Sequence, residues 1–285
     1  MIQSMTGFGK STLQLPTKKI SIEIKSLNSK SLDLNARMPN QYREKELDMR
    51  KLIASSLMRG KVDFSLYIET TSDDTTSAIN SEVVKSYMQQ LKQVVASDDT
   101  ELLKMAIKMP DALKTVREEI DETEYDSILN TLKEALVEIN RFRTDEGKAL
   151  EDDFNLRISN IKNLLEEVIK IDPDRINQVK ERLRKGIEEL KESLDENRFE
   201  QELVYYIEKY DITEEKTRLD NHLSYFTETI NSADSNGKKL GFISQEIGRE
   251  INTIGSKSNY APMQQLVVQM KDELEKIKEQ LLNVL

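Results

Sequence analysis

Cysteine is absent from the sequence, which excludes disulfides, a thiol nucleophile and cysteine-ligated zinc or iron–sulfur centres. The single histidine excludes an all-histidine zinc site within one chain, and a two-histidine site would need two chains. Tryptophan is also absent and aromatic residues are only 6%, so the core must come mostly from Leu, Ile and Val. No apolar run approaches the roughly 20 residues that span a bilayer. Met1 to Lys10 lacks a basic segment followed by an apolar one, so no signal peptide is expected. The chain therefore reads as soluble and cytoplasmic, with no membrane partner. There is no G-x-S-x-G element, no internal repeat and no low-complexity tract. Thr6-Gly7-Phe8-Gly9 is too short for a phosphate loop and reads as a β-bulge or a tight strand turn.

What is present is charge. Charged residues make up 33% and hydrophobic ones 37%, a balance that favours long helices with solvated faces. The 285 residues suffice for two modest domains with a sizeable core. The net charge of −10 argues against indiscriminate nucleic-acid binding. It conceals an asymmetry: residues 1–70 hold 12 Lys+Arg against 7 Asp+Glu, and the remainder holds 30 against 45. Charge alone favours ordinary scatter as the explanation. A phosphate-attracting N-terminal surface is the other reading.

The first 70 residues read as a β-rich domain. Ile20, Ile22 and Ile24 alternate with polar residues as a strand, and so do Leu32, Leu34, Ala36 and Met38. Asn28 to Ser31 is a turn signal, so the two strands are expected to pair as a hairpin. Tyr42 to Met58 has helical spacing, Arg59-Gly60-Lys61 breaks that helix, and Val62, Phe64, Leu66 and Ile68 form a third strand. Residues 71–80 read as a linker, and 81–115 as weakly patterned helix broken at Pro110. From Glu122 to about Arg198 the chain reads as long helices interrupted at Pro173, with Asp172-Pro173-Asp174 as a fresh helix start. Helical segments follow to Leu285. The expected fold class is α+β: an N-terminal mixed β/α domain (1–70), a linker and long-helix region (71–198), and a C-terminal helical domain (199–285).

Two C-terminal helices share one plan. Helical spacing sets Asp211, Glu214, Glu215, Arg218 and His222 within roughly 60° of one line. Ile212, Leu219, Leu223, Phe226 and Ile230 form a separate apolar stripe. In the next helix Glu246, Arg249, Glu250 and Thr253 share a face, beside a stripe of Ile243, Ile247, Ile251 and Ile254. Gly248 and Gly255 suggest close approach by another backbone or a ligand. Lys257, between two serines, adds a cation. If the stripes pack together, the charged faces can converge on one cleft. Clustered carboxylates hold Mg²⁺ or Mn²⁺, arginine and lysine stabilise phosphoryl charge, and histidine carries protons near neutral pH. The plainer reading keeps equal weight: a capping box at Asp211, surface pairs one helical turn apart, and a structural histidine.

Several further segments stand out: Met1 to Gly9, Glu23 to Asp33, Arg37-Met38-Pro39, Arg59-Gly60-Lys61-Val62 and Arg143-x-x-Glu146-Gly147-x-x-Leu150. With Asp211 to Glu215 and Arg218-Leu219-x-x-His222, then Gln245-Glu246-x-x-Arg249-Glu250-x-Asn252-Thr253 and Ser256-Lys257, they make the chain resemble the YicC/YloC family of bacterial endoribonucleases. Lys30 stands where the family usually has arginine, which loses the planar bidentate fork. Phe242-Ile243-Ser244 replaces a more methionine-rich run.

The resemblance implies a cytoplasmic, divalent-metal-dependent endoribonuclease acting on single-stranded or structured RNA, assembled as a homo-oligomer, with a hexamer expected. It also implies an N-terminal domain concerned with assembly and RNA contact. On this reading Glu214, Glu215, Glu246 and Glu250 include the metal ligands, and Arg218, Arg249 and Lys257 hold the scissile phosphate. His222 carries a proton or orients a ligand, and Lys25, Asn28, Lys30, Arg37, Arg59 and Lys61 guide the RNA. A non-catalytic RNA-binding adaptor using the same basic surface is the alternative. A purely structural helical scaffold is a third reading.

Overall fold

The computed structural model describes residues 2–70, 77–95, 97–115, 121–189, 196–232 and 236–285. Four strands form the N-terminal sheet: β1 (Gly7–Gln14), β2 (Lys18–Leu27), β3 (Leu32–Arg37) and β4 (Gly60–Thr70), in the order β1-β2-β4-β3. The expected β2–β3 hairpin does not form. β4 lies between them, antiparallel to β2 and parallel to β3. Side-chain burial explains the order. Ile20, Ile22 and Ile24 of β2, and Val62, Phe64 and Leu66 of β4, are all buried and take the central positions. Leu32, Leu34 and Ala36 are only half-buried, as suits an edge strand.

Thr6 to Gly9 is neither a bulge nor a turn, because Gly7 starts strand β1. The glycine has a packing reason. A Cβ on Gly9 would lie 2.2 Å from the carbonyl oxygen of Ala135, on the helix that covers the sheet. A short 3-10 turn (Asn40–Lys45) and helix α1 (Glu46–Ser56) close one side, contributing Tyr42, Met49 and Ile53. Between the sheet and the long helix, β5 (Ser77–Ile79), α2 (Ser81–Val94), α3 (Asp99–Ala106) and β6 (Leu113–Thr115) make a small satellite around Val84, Ala106 and Ala112. Part of the expected linker, residues 71–76, lies outside the described residues.

Helix α4 (Glu122–Glu189) runs unbroken for 68 residues. The expected interruption at Pro173 does not occur. The proline removes one backbone donor, at a cost of roughly 3 kcal/mol, but tertiary packing holds the helix on both sides. Leu165 and Val168 are buried ahead of it, and buried Asp172 and Arg175 flank it. The first half of α4 buries Ile128, Leu132, Ala135 and Ile139 against the sheet. Its second half buries Phe154, Ile158, Ile161 and Leu165 in a separate core with the C-terminal helices α6 (Thr213–Ile230), α7 (Gly237–Lys257) and α8 (Ala261–Leu281). Helix α5 (Glu196–Lys209) links α4 to this bundle. No helix among the described residues is long and apolar enough to cross a membrane.

The Arg143–Leu150 element anchors the N-terminus. Arg143 is 1% exposed and donates to the Met5 carbonyl (3.3 Å) and to Ser26 Oγ (2.5 Å). Thr6 Oγ1 donates to Glu146 Oε2 at 2.6 Å. A Cβ on Gly147 would fall 2.1 Å from the Ile2 carbonyl oxygen, so the segment ahead of β1 and α4 touch backbone to backbone.

Candidate functional site

Helices α6 and α7 form an antiparallel pair whose register can be read from its cross-contacts. Glu215 meets Lys257, His222 meets Glu246 and Glu250, and Tyr225 meets Lys239. The pair forms because each helix buries one apolar stripe. Leu219, Leu223, Phe226 and Ile230 face Ile243, Ile247, Ile251 and Ile254 in the bundle core. The Asp211 carboxylate starts α6, accepting from the Thr213 backbone N–H (3.0 Å) and the Thr213 hydroxyl (2.7 Å). The Thr213 hydroxyl, with smaller help from Lys216 and Lys257, holds the Asp211 carboxyl below its ordinary pKa. Gly248 and Gly255 serve helix packing. Added Cβ atoms would meet Leu274 at 3.2 Å and Val267 at 3.0 Å on α8, so the close protein neighbours are side chains rather than a backbone.

On the adjoining charged seam, one ligand atom each from His222, Glu246 and Glu250 lies within 4.8 Å of the others. The three differ in exposure: Glu250 is 4% exposed, His222 half-buried and Glu246 exposed. Among the described residues no cation or hydrogen-bond donor reaches the Glu250 carboxylate. With an imidazole nitrogen and a second carboxylate beside it, it forms a donor set suited to a divalent cation.

The other sequence-derived site residues lie nearby but engage different partners. Glu215 is buried and accepts from Lys257 Nζ at 2.7 Å, and the same ammonium donates to the Asp211 carbonyl at 2.8 Å. The second oxygen of Glu215 is buried and without a partner. Glu214 is exposed and pairs with Arg218 one turn on, at 2.5 Å. Arg249 is exposed, 3.8 Å from Glu246. Arg249 also lines a groove of about 550 Å³ between α7 and α8, with Gln245, Asn252, Thr253, Ser256 and Lys278.

The N-terminal residues expected to guide RNA divide into two groups. Lys25, Lys30, Arg37 and Lys61 are exposed. Lys25 lies over the Phe8 ring at 5.7 Å on the outer sheet face. Asn28 and Arg59 instead bind backbone near the C-terminus. Asn28 Nδ2 donates to the Leu282 carbonyl, and Arg59 Nη2 to the Val284 carbonyl at 2.7 Å.

A buried ionic network escaped the sequence reading. Arg175 donates to Asp172 at 2.8 Å and to the Tyr210 carbonyl at 2.8 Å, and Lys216 Nζ donates to the other Asp172 oxygen at 2.7 Å. It ties α4 to the start of α6. The signal was there in Asp172-x-x-Arg175, one helical turn apart, but Pro173 pointed to a helix start instead.

Two family descriptions match the chain. "Endoribonuclease YicC-like, N-terminal region" covers residues 2–152, and "Endoribonuclease YicC-like, C-terminal" covers residues 168–285. The chain belongs to the YicC-like endoribonuclease family. Among its YicC-like relatives is the "Probable endoribonuclease YicC" of Clostridioides difficile (strain 630), 35% identical over 293 residues that span all of both chains. The protein of the same name from Haemophilus influenzae (strain ATCC 51907 / DSM 11121 / KW20 / Rd) is 29% identical over 287 residues, again spanning both. The C-terminal YicC-like region contains α6 and α7, and with them the His222–Glu246–Glu250 cluster.

Proposed function

We propose that the protein is a divalent-metal-dependent endoribonuclease whose reaction takes place at His222, Glu246 and Glu250. One observation carries the reading: the carboxylate of buried Glu250 stands beside a second carboxylate and the chain's one imidazole, on two helices, within 4.8 Å. These residues would hold the cation through one nitrogen and two carboxylate oxygens, a set compatible with Mg²⁺ or Mn²⁺. A cation bound there supplies Lewis acidity toward a phosphodiester oxygen and a more acidic bound water.

The chain's own residues supply the rest. Arg249, exposed at the rim of the cluster, pairs with a non-bridging phosphate oxygen. The α7/α8 groove carries Arg249 and Lys278 with amide and hydroxyl groups and no carboxylate in its lining, so it takes the RNA backbone leading to the cluster. Lys257 is held by Glu215 and the Asp211 carbonyl. Its role is to fix the end of the seam, with its charge available to a phosphate approaching along it. Arg218 pairs with Glu214 on the solvent side and would exchange that partner for phosphate. Lys25, Lys30, Arg37 and Lys61 steer RNA toward the enzyme. The working form is proposed to be a cytoplasmic homo-oligomer, a hexamer.

Cleavage of an end-labelled RNA by wild type and Glu246→Gln/Glu250→Gln protein tests this reading. Loss of cleavage in the variant, and in wild type with EDTA, is expected. A wild-type rate in the folded variant would refute it. RNA binding that persists while purified wild type never cleaves would favour the adaptor reading.

A further inference from the structure

One turn from the cluster, the α6/α7 seam changes character. On α6, Tyr225 follows His222 by three residues, about 4.5 Å along the axis. On α7, Phe242 precedes Glu246 by four residues, about 6 Å along the axis. Both rings are turned out of the core: Tyr225 is 45% exposed and Phe242 58%, whereas the neighbouring Phe226 is buried against Phe154. The Lys239 ammonium lies 4.7 Å from the Tyr225 ring centre, bridging from α7 to α6. Single exposed apolar side chains are ordinary. Here Lys239 meets Tyr225 across the seam, Phe242 follows Lys239 by three residues on α7, all on the same side of the cluster, and none of them serves either apolar stripe.

We infer that Tyr225 and Phe242 form a stacking shelf for an unpaired nucleobase next to the scissile phosphodiester, and that Lys239 pairs with the phosphate adjoining that base. The inference rests on the proposed RNA-cleaving reading and deepens it by specifying single-stranded substrate. Stacking fits the residues present. Aromatic faces accept any base. A base in a duplex has both faces covered and cannot use the shelf. The separation of the shelf from the cluster, about one helical turn of 5.4 Å, is of the order of the span from a phosphate to its own base.

The test is fluorescence anisotropy of a labelled ten-nucleotide oligoadenylate with the full chain in EDTA, alongside cleavage of the same oligomer in Mn²⁺. Tyr225→Ala/Phe242→Ala protein with an unchanged melting midpoint should bind about 5- to 150-fold more weakly, the range for loss of one stacked base. Tyr225→Phe/Phe242→Tyr, which keeps both rings, should bind within about twofold of wild type. An abasic oligomer of the same length should bind wild type and the Ala/Ala variant alike. Lys239→Ala should lower the slope of log affinity against log salt by about 0.7. Equal binding of oligoadenylate by wild type and the folded Ala/Ala variant would overturn the shelf, and so would weakened binding by the ring-conserving variant. Failure of wild type to cleave while the Ala/Ala variant loses affinity would defeat the hydrolytic reading and leave the shelf standing.

Discussion

Replacing Asp172 with asparagine should destabilise the protein severely although it alters only one atom. Asp172 and Arg175 are both buried, and among the described residues the carboxylate is the only anion that meets the guanidinium and Lys216 together, with contacts at 2.7–2.8 Å. Taking away its charge leaves a buried guanidinium with the Tyr210 carbonyl but no counter-ion. Removing one partner of a buried ion pair costs about 3–5 kcal/mol. The unfolding entropy of a chain of this length is roughly 0.6 kcal/mol/K, so the midpoint should fall by about 5–8 °C if the bundle unfolds as one unit. Circular dichroism at 222 nm on heating reads the shift. Asp174→Asn is the matched control, since Asp174 is exposed on the same helix, and it should move the midpoint by less than about 1 °C. Equal midpoints for Asp172→Asn and Asp174→Asn would refute the claim that this network holds α6 to α4.

Glycine substitutions should split by environment. Gly9→Ala drives a methyl into the Ala135 carbonyl and should cost about 3 kcal/mol in urea unfolding, whereas Gly186→Ala, with nothing within 4 Å, should gain about 1 kcal/mol in helix propensity. Glu273 should mark acid sensitivity. Burial alone would raise its pKa, but hydrogen bonds from Lys276, Asn160 and Arg157 outweigh it and hold the carboxyl at about 2, against an ordinary 4.5. Its folded pKa is depressed, so its stabilisation is complete above about pH 4.5 and is lost as pH falls toward 2. Glu273→Gln should therefore lower stability at pH 7 by about 1–2 kcal/mol and narrow that gap below pH 4, measured by urea titration across pH. A gap independent of pH would contradict the assignment.

The readable parts of the fold were those set by strong local periodicity. The isoleucine alternation of β2, the stripes of α6 and α7, and the Gly60 break were visible because one-face burial leaves a regular pattern. Gly60 has φ of 130°, a conformation that favours glycine. The unreadable parts depend on partners far along the chain. The insertion of β4 between β2 and β3 is decided by competition for burial among three apolar strands. The first strand was obscured because Gly7 and Gly9, which look like turn residues, are dictated by the approach of α4. Pro173 misled because tertiary anchors on both sides override its local penalty.

At the site, helical spacing placed His222, Glu246 and Glu250 on facing charged stripes, and the structure brings those three together. Spacing alone gave Glu214 and Glu215 the same standing. Side-chain partners mark the difference: Arg218 holds Glu214 and Lys257 holds one oxygen of Glu215, whereas Arg249 stands 3.8 Å from Glu246 and Glu250 has no ion-pair partner among the described residues. The aromatic shelf left no motif. Tyr225 and Phe242 are 17 positions apart and fall on the same side of the cluster only through the antiparallel register of α6 and α7.

The central claim is that His222, Glu246 and Glu250, rather than the Glu214–Glu215 pair, hold the divalent cation. Electron paramagnetic resonance of free Mn²⁺, titrated with wild type, Glu250→Gln and Glu214→Gln protein, tests it directly. Wild type and Glu214→Gln should each sequester one ion per chain with similar affinity. Glu250→Gln should weaken that site by at least about 10- to 100-fold, the loss seen even for residues that only orient a ligand. Undiminished Mn²⁺ binding in Glu250→Gln, or its loss in Glu214→Gln, would contradict the account.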